Sequence, residues 1–273
     1  MTSAVELEVN GHVVARLDDG SDMAPQLSPR PFVEVWTLGG EPVTQTHPSD
    51  HPHHYGVSAA LPDVDGVSYW GGRTYVRGSG STMLENHGTQ RVESRTVSAS
   101  GVLDEISWRR PDGSLQAVEQ REVSVEGFDG GWILDWVSRL QAPDGVTLGS
   151  PATNGRPGAF YGGLFWRTPF ESAAISSEAL AGVQAAHGSE SPWLAIQSPR
   201  AALVAAAPRG YPWFVRDDGY VGFGPAVAVR HRRAVPPGGA LTLRLRVAVL
   251  NGDEERVVER GRRAVFGGEG GRL

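Results

Sequence analysis

Apolar and polar residues alternate with a period of two along most of this chain. Leu241-Thr242-Leu243-Arg244-Leu245-Arg246-Val247-Ala248-Val249 is apolar at every odd position. That pattern predicts a strand with one face in a core and the other towards water or a second layer. Trp132, Leu134, Trp136 and Leu140 fall on one face of another strand, with Asp135 and Arg139 opposite. Further strands are expected over 5–9, 13–17, 31–37, 90–98, 103–108, 115–125, 193–197 and 201–206. Turn signals separate them: Pro111-Asp112-Gly113, Pro143-Asp144-Gly145, Asp217-Asp218-Gly219 and Pro237-Gly238-Gly239. Many short strands with little helical periodicity predict an all-β fold, a large antiparallel β-sandwich. One short C-terminal helix is expected from Glu254 to about Val265, with Asp253 as its N-cap and acidic residues in its first turn. No internal repeat or linker divides the chain, so residues 1–266 read as a single domain. The glycine-rich end, 267–273, reads as a disordered tail.

Composition sharpens this picture. Thirty-six glycines and nineteen prolines are spread along 273 residues, as many turns require. The net charge of −6 is mild, and no Lys/Arg run of nucleic-acid type occurs. With no cysteine, neither disulfides nor thiolate metal sites are available. The N-terminus lacks the basic and apolar regions of a signal peptide, and no apolar run approaches a membrane span. The expectation is a cytoplasmic protein with no nucleic-acid or membrane partner; homo-oligomerisation is left open. Walker, Rossmann, GxSxG and HExxH motifs are missing, so no nucleotide cofactor is expected.

The candidate chemistry concentrates in His47-Pro48-Ser49-Asp50-His51-Pro52-His53-His54-Tyr55-Gly56, which holds four of the eight histidines. Imidazole carries protons near neutral pH and also binds metals. Prolines at 48 and 52 favour extended or turn backbone, hence a stiff loop presenting polar side chains in fixed directions. In an extended segment His51 and His53 would share one side. A His-bound metal built from His47, His51, His53 or His54 is one use of such a loop; proton transfer, substrate hydrogen bonding and loop bracing are others.

Three further clusters qualify. His87, in Glu85-Asn86-His87-Gly88, lies beside a glycine that permits close backbone approach. Glu119 and Arg121 share parity with Ala117, Val123 and Val125, so both should face inward, where charge must be paired or line a polar cavity. Asn154, Tyr161, Trp166 and Arg167 lie in a glycine-rich stretch whose aromatics suit stacking on a sugar ring while Asn and Arg bind hydroxyls.

These segments, with Arg30-Pro31-Phe32, Pro42-Val43-Thr44 and Pro212-Trp213-Phe214, resemble a bacterial family labelled PmoA-like or "methane oxygenase", over about residues 28 to 250. The label implies a membrane copper oxygenase, which a chain without a membrane span does not fit. The resemblance implies a sugar context instead, since such genes accompany sugar dehydrogenases. The expected sandwich is also similar to the galactose mutarotase-like superfamily, whose members bind a pyranose in a concave sheet with His and Glu as acid and base. The resulting expectation is a carbohydrate-active enzyme, an epimerase, lyase or hydrolase, acting on a sugar or a keto sugar or glycoside. His54, His87, Glu119 and Arg121 would be catalytic. His47, Asp50, His51, His53, Tyr55, Asn154, Tyr161, Trp166 and Arg167 would bind the substrate, a small carbohydrate. A His-rich metal-dependent enzyme and a non-catalytic sugar-binding module are the alternatives.

Overall fold

A computed structural model describes residues 4–178, 181–252 and 256–267. Two large sheets dominate it. The eight-stranded sheet runs Ala174–Ser177, Trp193–Gln197, Ala201–Ala206, Ala240–Asn251, Gly131–Gln141, Leu115–Phe128, Gly101–Arg109 and Thr89–Val97. The seven-stranded sheet runs Val5–Val9, His12–Asp18, Phe32–Val35, Val57–Ala60, Gly163–Arg167, Gly222–Pro225 and Trp213–Arg216. Neighbouring strands in both are antiparallel. The architecture is the expected antiparallel sandwich.

Alternation builds the core as expected. Leu241, Leu243, Leu245, Val247 and Val249 face inward and meet Trp132, Leu134, Trp136 and Leu140 of the neighbouring strand. Burying each such side chain contributes roughly 1.5–3 kcal/mol. The outer face of the central strands is also covered. Helix Val257–Phe266 lays Val257 and Val265 over Ile133, Ala202, Val204, Ala248 and Leu250. This explains why strand Ala201–Ala206 is buried on both faces. The proposed cap Asp253 and start Glu254 lie outside the described residues, as do residues 268–273 of the expected tail. No helix among the described residues is long and apolar enough to cross a membrane.

Sheet order places the functional loops. The row Val33, Val57, Trp166 and Phe223 crosses four adjacent strands of the seven-stranded sheet. Beyond that row lie the loop ending at Gly56, the end of strand Gly163–Arg167, and the turn joining Trp213–Arg216 to Gly222–Pro225. The histidine loop, Arg167, Arg216 and Tyr220 are therefore gathered at one end of one sheet.

Candidate functional site

The two prolines fold the histidine loop into consecutive turns. The His51 amide donates to the Pro48 carbonyl at 3.1 Å and the His54 amide to the His51 carbonyl at 2.9 Å. The His47 amide closes the loop on the His54 carbonyl at 2.8 Å. Pro52 occupies the second position of the latter turn, where its fixed φ is favoured. At the loop's exit Gly56 has φ 42°, and a Cβ there would sit 2.2 Å from the Val33 carbonyl oxygen. Only glycine fits so close to the neighbouring strand. The turn overrides the extended geometry expected from sequence. His51 stacks on His54 with ring centroids 4.7 Å apart, and His53 meets both, at 5.7 and 4.7 Å. From below, buried Arg30 donates to the His53 carbonyl at 2.6 Å and to Leu27, Ser28 and Ser58 oxygens, a guanidinium fork holding the loop's base.

His54 is 2% exposed and walled by Trp70, Phe165 and Tyr220 at 5.6, 5.1 and 5.3 Å. Its Nδ1 is buried with no hydrogen-bond partner among the described residues. Burial, reinforced by His53, His51, Arg167 and Arg30, drives its pKa well below the ordinary imidazole value. Burial and then Arg30 and His51 lower that of His53 to about 3. Both rings are therefore neutral at physiological pH. The unfolded chain takes up protons on these groups near pH 6.5 while the fold does not, so stability must fall as pH drops from about 6.5 towards the lowered values. His54 contributes a slope of about 1.4 kcal/mol per pH unit in that window. Urea midpoints from pH 7 to 4 should fall steadily in the wild type and less steeply in His54→Phe; equal slopes would contradict this assignment.

Above this floor sits a polar group of three, Asp50, His51 and Arg167. Asp50 Oδ2 lies 2.8 Å from His51 Nδ1. Arg167 Nη2 donates to both Asp50 oxygens, at 3.2 and 3.0 Å, and Arg167 Nε to Gln45 at 3.1 Å. Burial pushes the Asp50 carboxyl up, but the hydrogen bonds from His51 and Arg167 outweigh it and leave it below the usual carboxylate range. The Arg167 guanidinium lies 4.2 Å from the Tyr220 ring centroid; Arg216 approaches the same ring at 4.9 Å. Arg167 is 4% exposed, and its Nη1 has no partner among the described residues. His51 is half-buried and edges onto Tyr220 at 4.9 Å. A neutral His51 that donates Nδ1–H to the Asp50 carboxylate would keep its Nε2 lone pair free, the arrangement of an oriented general base.

Several expected site residues lie elsewhere. Glu119 and Arg121 do face inward, but as a closed ion pair between the sheets. Arg121 Nε and Nη2 each donate to a Glu119 oxygen at 2.8 Å, and Nη2 also donates to Gln90 at 2.9 Å. Trp108 Nε1 and the Ser138 hydroxyl donate to the remaining Glu119 lone pairs. Burial raises the Glu119 carboxyl, and Arg121 overcompensates, leaving it ionised. A pair with its valences filled inside the core is structural, which corrects the catalytic expectation. Trp166 is 0% exposed, donates to the Val43 carbonyl at 2.8 Å and stacks on Phe223. It is core and not a ligand wall. Asn154 is engaged with Asp63 at 2.9 Å, bracing the Asp63–Arg232 ion pair.

His87 sits behind the cluster, its Nε2 2.7 Å from the Gly72 carbonyl oxygen. Gly72 has φ 68°, and a Cβ there would meet His53 Nδ1 at 2.8 Å, so this turn is what lets His53 pack so closely. His47 and Tyr55 turn to the far side of the loop, where the Tyr55 hydroxyl lies 3.0 Å from His47 Nδ1 and its ring packs on Phe32. The imidazoles meet ring to ring instead of converging on a point. Among the described residues no group of three or more His, Asp or Glu is placed to hold a metal ion. The His-rich metal centre is therefore not formed by these residues.

Sequence reasoning assigned no site role to Tyr220, Arg216, Phe165, Arg30 or Trp70. One signal was available: parity in strand Gly163–Arg167 puts Leu164 and Trp166 inward, and Phe165 and Arg167 outward together, on the side where Tyr161 also packs. Tyr161 accordingly packs on Trp70 at 4.5 Å, extending the aromatic wall, and burial raises its pKa to about 12.

The sequence matches a family of unknown function, DUF6807, over residues 4–260. No curated protein sequence matches it. Among solved structures the chain is similar to a putative aldose 1-epimerase from Escherichia coli K12, with 13% identity, a TM-score of 0.47, and 90% of this chain and 98% of that one covered. A galactose mutarotase-like protein from Lactobacillus casei ATCC 334 gives 9% identity and a TM-score of 0.47, covering 90% and 100% of the two chains. Another from Clostridium acetobutylicum gives 9% and 0.39, covering 91% and 98%. Likenesses at this level leave the chemistry to be read from this chain's own residues.

Proposed function

The chain belongs to the DUF6807 family, and for this member we propose a carbohydrate-active enzyme that moves a proton on a sugar or keto sugar. The observation that carries the reading is the Asp50–His51 pair, clamped by Arg167 against Tyr220 and standing on a floor of neutral imidazoles. His51 Nε2 takes a proton from a hydroxyl, or from a C–H beside a carbonyl, and Asp50 stabilises the imidazolium that forms. The Arg167 guanidinium, through its unpartnered Nη1, offers a donor to a substrate oxygen. Tyr161, half-buried and packed on Trp70, supplies aromatic surface for the C–H face of a sugar ring.

Proton transfer of this kind is common to epimerases and lyases, and opens the hemiacetal in anomer exchange. The test is to incubate the protein in D2O with D-glucose, D-galactose and 3-keto-glucose and follow anomer exchange and deuterium uptake by NMR. The expected result is acceleration of exchange on at least one sugar with a pH-dependent rate. Saturation transfer to a sugar without any exchange would leave a sugar-binding module in place of the enzyme.

A further inference from the structure

A cavity of about 500 Å³ opens near the histidine loop, lined by Arg156, Tyr161, Phe214, Arg216, Asp217 and Asp218 among others. It is not an isolated void. Tyr161 joins it to Trp70 and so to the histidine floor, and Arg216 joins it to Tyr220, which touches His51 and His54. The volume is within the range of small-ligand pockets, and the proton-transfer group occupies none of it.

The lining selects an occupant. Tyr161 and Phe214 meet edge-to-face at 5.7 Å, and Phe214 is backed by Phe160 at 5.9 Å, giving a firm aromatic floor. Around it stand two guanidiniums and two carboxylates, so the formal charges of the lining cancel. A phosphate or polycarboxylate would meet two acids as well as two bases, whereas hydroxyl groups both donate to carboxylates and accept from guanidiniums. Arg156 is exposed and has no salt bridge or side-chain hydrogen bond among the described residues, so its donors are uncommitted. Asp217 is likewise exposed at the rim. His187, by contrast, is committed to the fold: its Nε2 lies 3.0 Å from the Gly158 carbonyl oxygen and its Nδ1 accepts from the Val215 amide.

We propose that this cavity is a subsite for a second ring, a neutral polyhydroxylated group joined to the sugar beside the histidine loop, so that a glycoside or disaccharide is preferred over the corresponding free monosaccharide. The proposal rests on the sugar reading of the histidine loop. Stacking of the second ring on Tyr161 and Phe214, with Arg156 and Asp217 bonding its hydroxyls, supplies affinity that a monosaccharide cannot use.

Isothermal titration of the full chain with D-glucose, D-galactose, cellobiose and lactose tests it. The expected result is that a disaccharide binds roughly tenfold or more tightly than its monosaccharide, a difference of about 1.4 kcal/mol. Arg156→Ala and Asp217→Asn, both surface changes outside the proton-transfer group, should erase that advantage and leave monosaccharide binding unaltered. Equal affinity for the two classes in the wild type, or variants that weaken both equally, overturns the second-ring subsite while the sugar reading of the histidine loop stands. Binding of none of these sugars by the wild type overturns both.

Discussion

Glu119→Ala will destabilise the protein by about 3–5 kcal/mol, the usual cost of stranding a buried charge. Arg121 would keep its charge in the core and lose both hydrogen bonds to the carboxylate, retaining only Gln90 and a long contact to the Pro31 carbonyl. Trp108 Nε1 and the Ser138 hydroxyl would lose their acceptor at the same time. Each buried donor left unsatisfied costs about 1–3 kcal/mol in its own right. Urea unfolding at pH 7 measures the loss directly. The double variant Glu119→Gln/Arg121→Met removes both charges, keeps an acceptor for Trp108, and should recover much of what the single alanine variant loses. A single variant within about 1 kcal/mol of wild type would show that the pair is solvated after all.

That ion pair also shows how far the sequence could be read. Parity correctly turned Glu119 and Arg121 inward, because strand side chains alternate by covalent geometry alone. What parity cannot give is the company they keep. Trp108, Ser138 and Gln90 come from three other strands, and they convert an apparent acid–base pair into a closed structural knot. The long strands Leu115–Phe128, Gly131–Gln141 and Ala240–Asn251 were legible because one face is apolar and the other largely polar. Val57–Ala60 and Gly222–Pro225 were not, being buried on both faces and poor in the alternation that marks half-exposed strands. The histidine loop announced itself by composition and stiffness. Its true geometry needed the two successive turns, which bring His51 over His54 where an extended segment would pair His51 with His53. Tyr220, which the sequence did not single out, reaches the site because sheet order sets the strand it leads into, Gly222–Pro225, two places from the one the loop leads into.

Loss of His51 carries the largest functional effect. His51→Gln keeps the size of the side chain and a hydrogen-bonding end near Asp50 but removes the titrating ring, so proton transfer should slow by about 10²–10⁴-fold. Because His51 is half-buried at the rim and stacks on His54 without filling the core, the fold should survive. Asp50→Asn should slow the reaction as well, since the amide neither fixes the Nδ1–H tautomer as firmly nor stabilises an imidazolium. It also releases Arg167 from its carboxylate partner, so its effect on binding should exceed that of His51→Gln. The decisive measurement is NMR exchange in D2O on the sugar that the wild type turns over fastest, run with wild type and His51→Gln at matched folded concentration. The account predicts exchange lost by at least about a hundredfold with saturation transfer to the bound sugar retained; wild-type exchange in His51→Gln would contradict it.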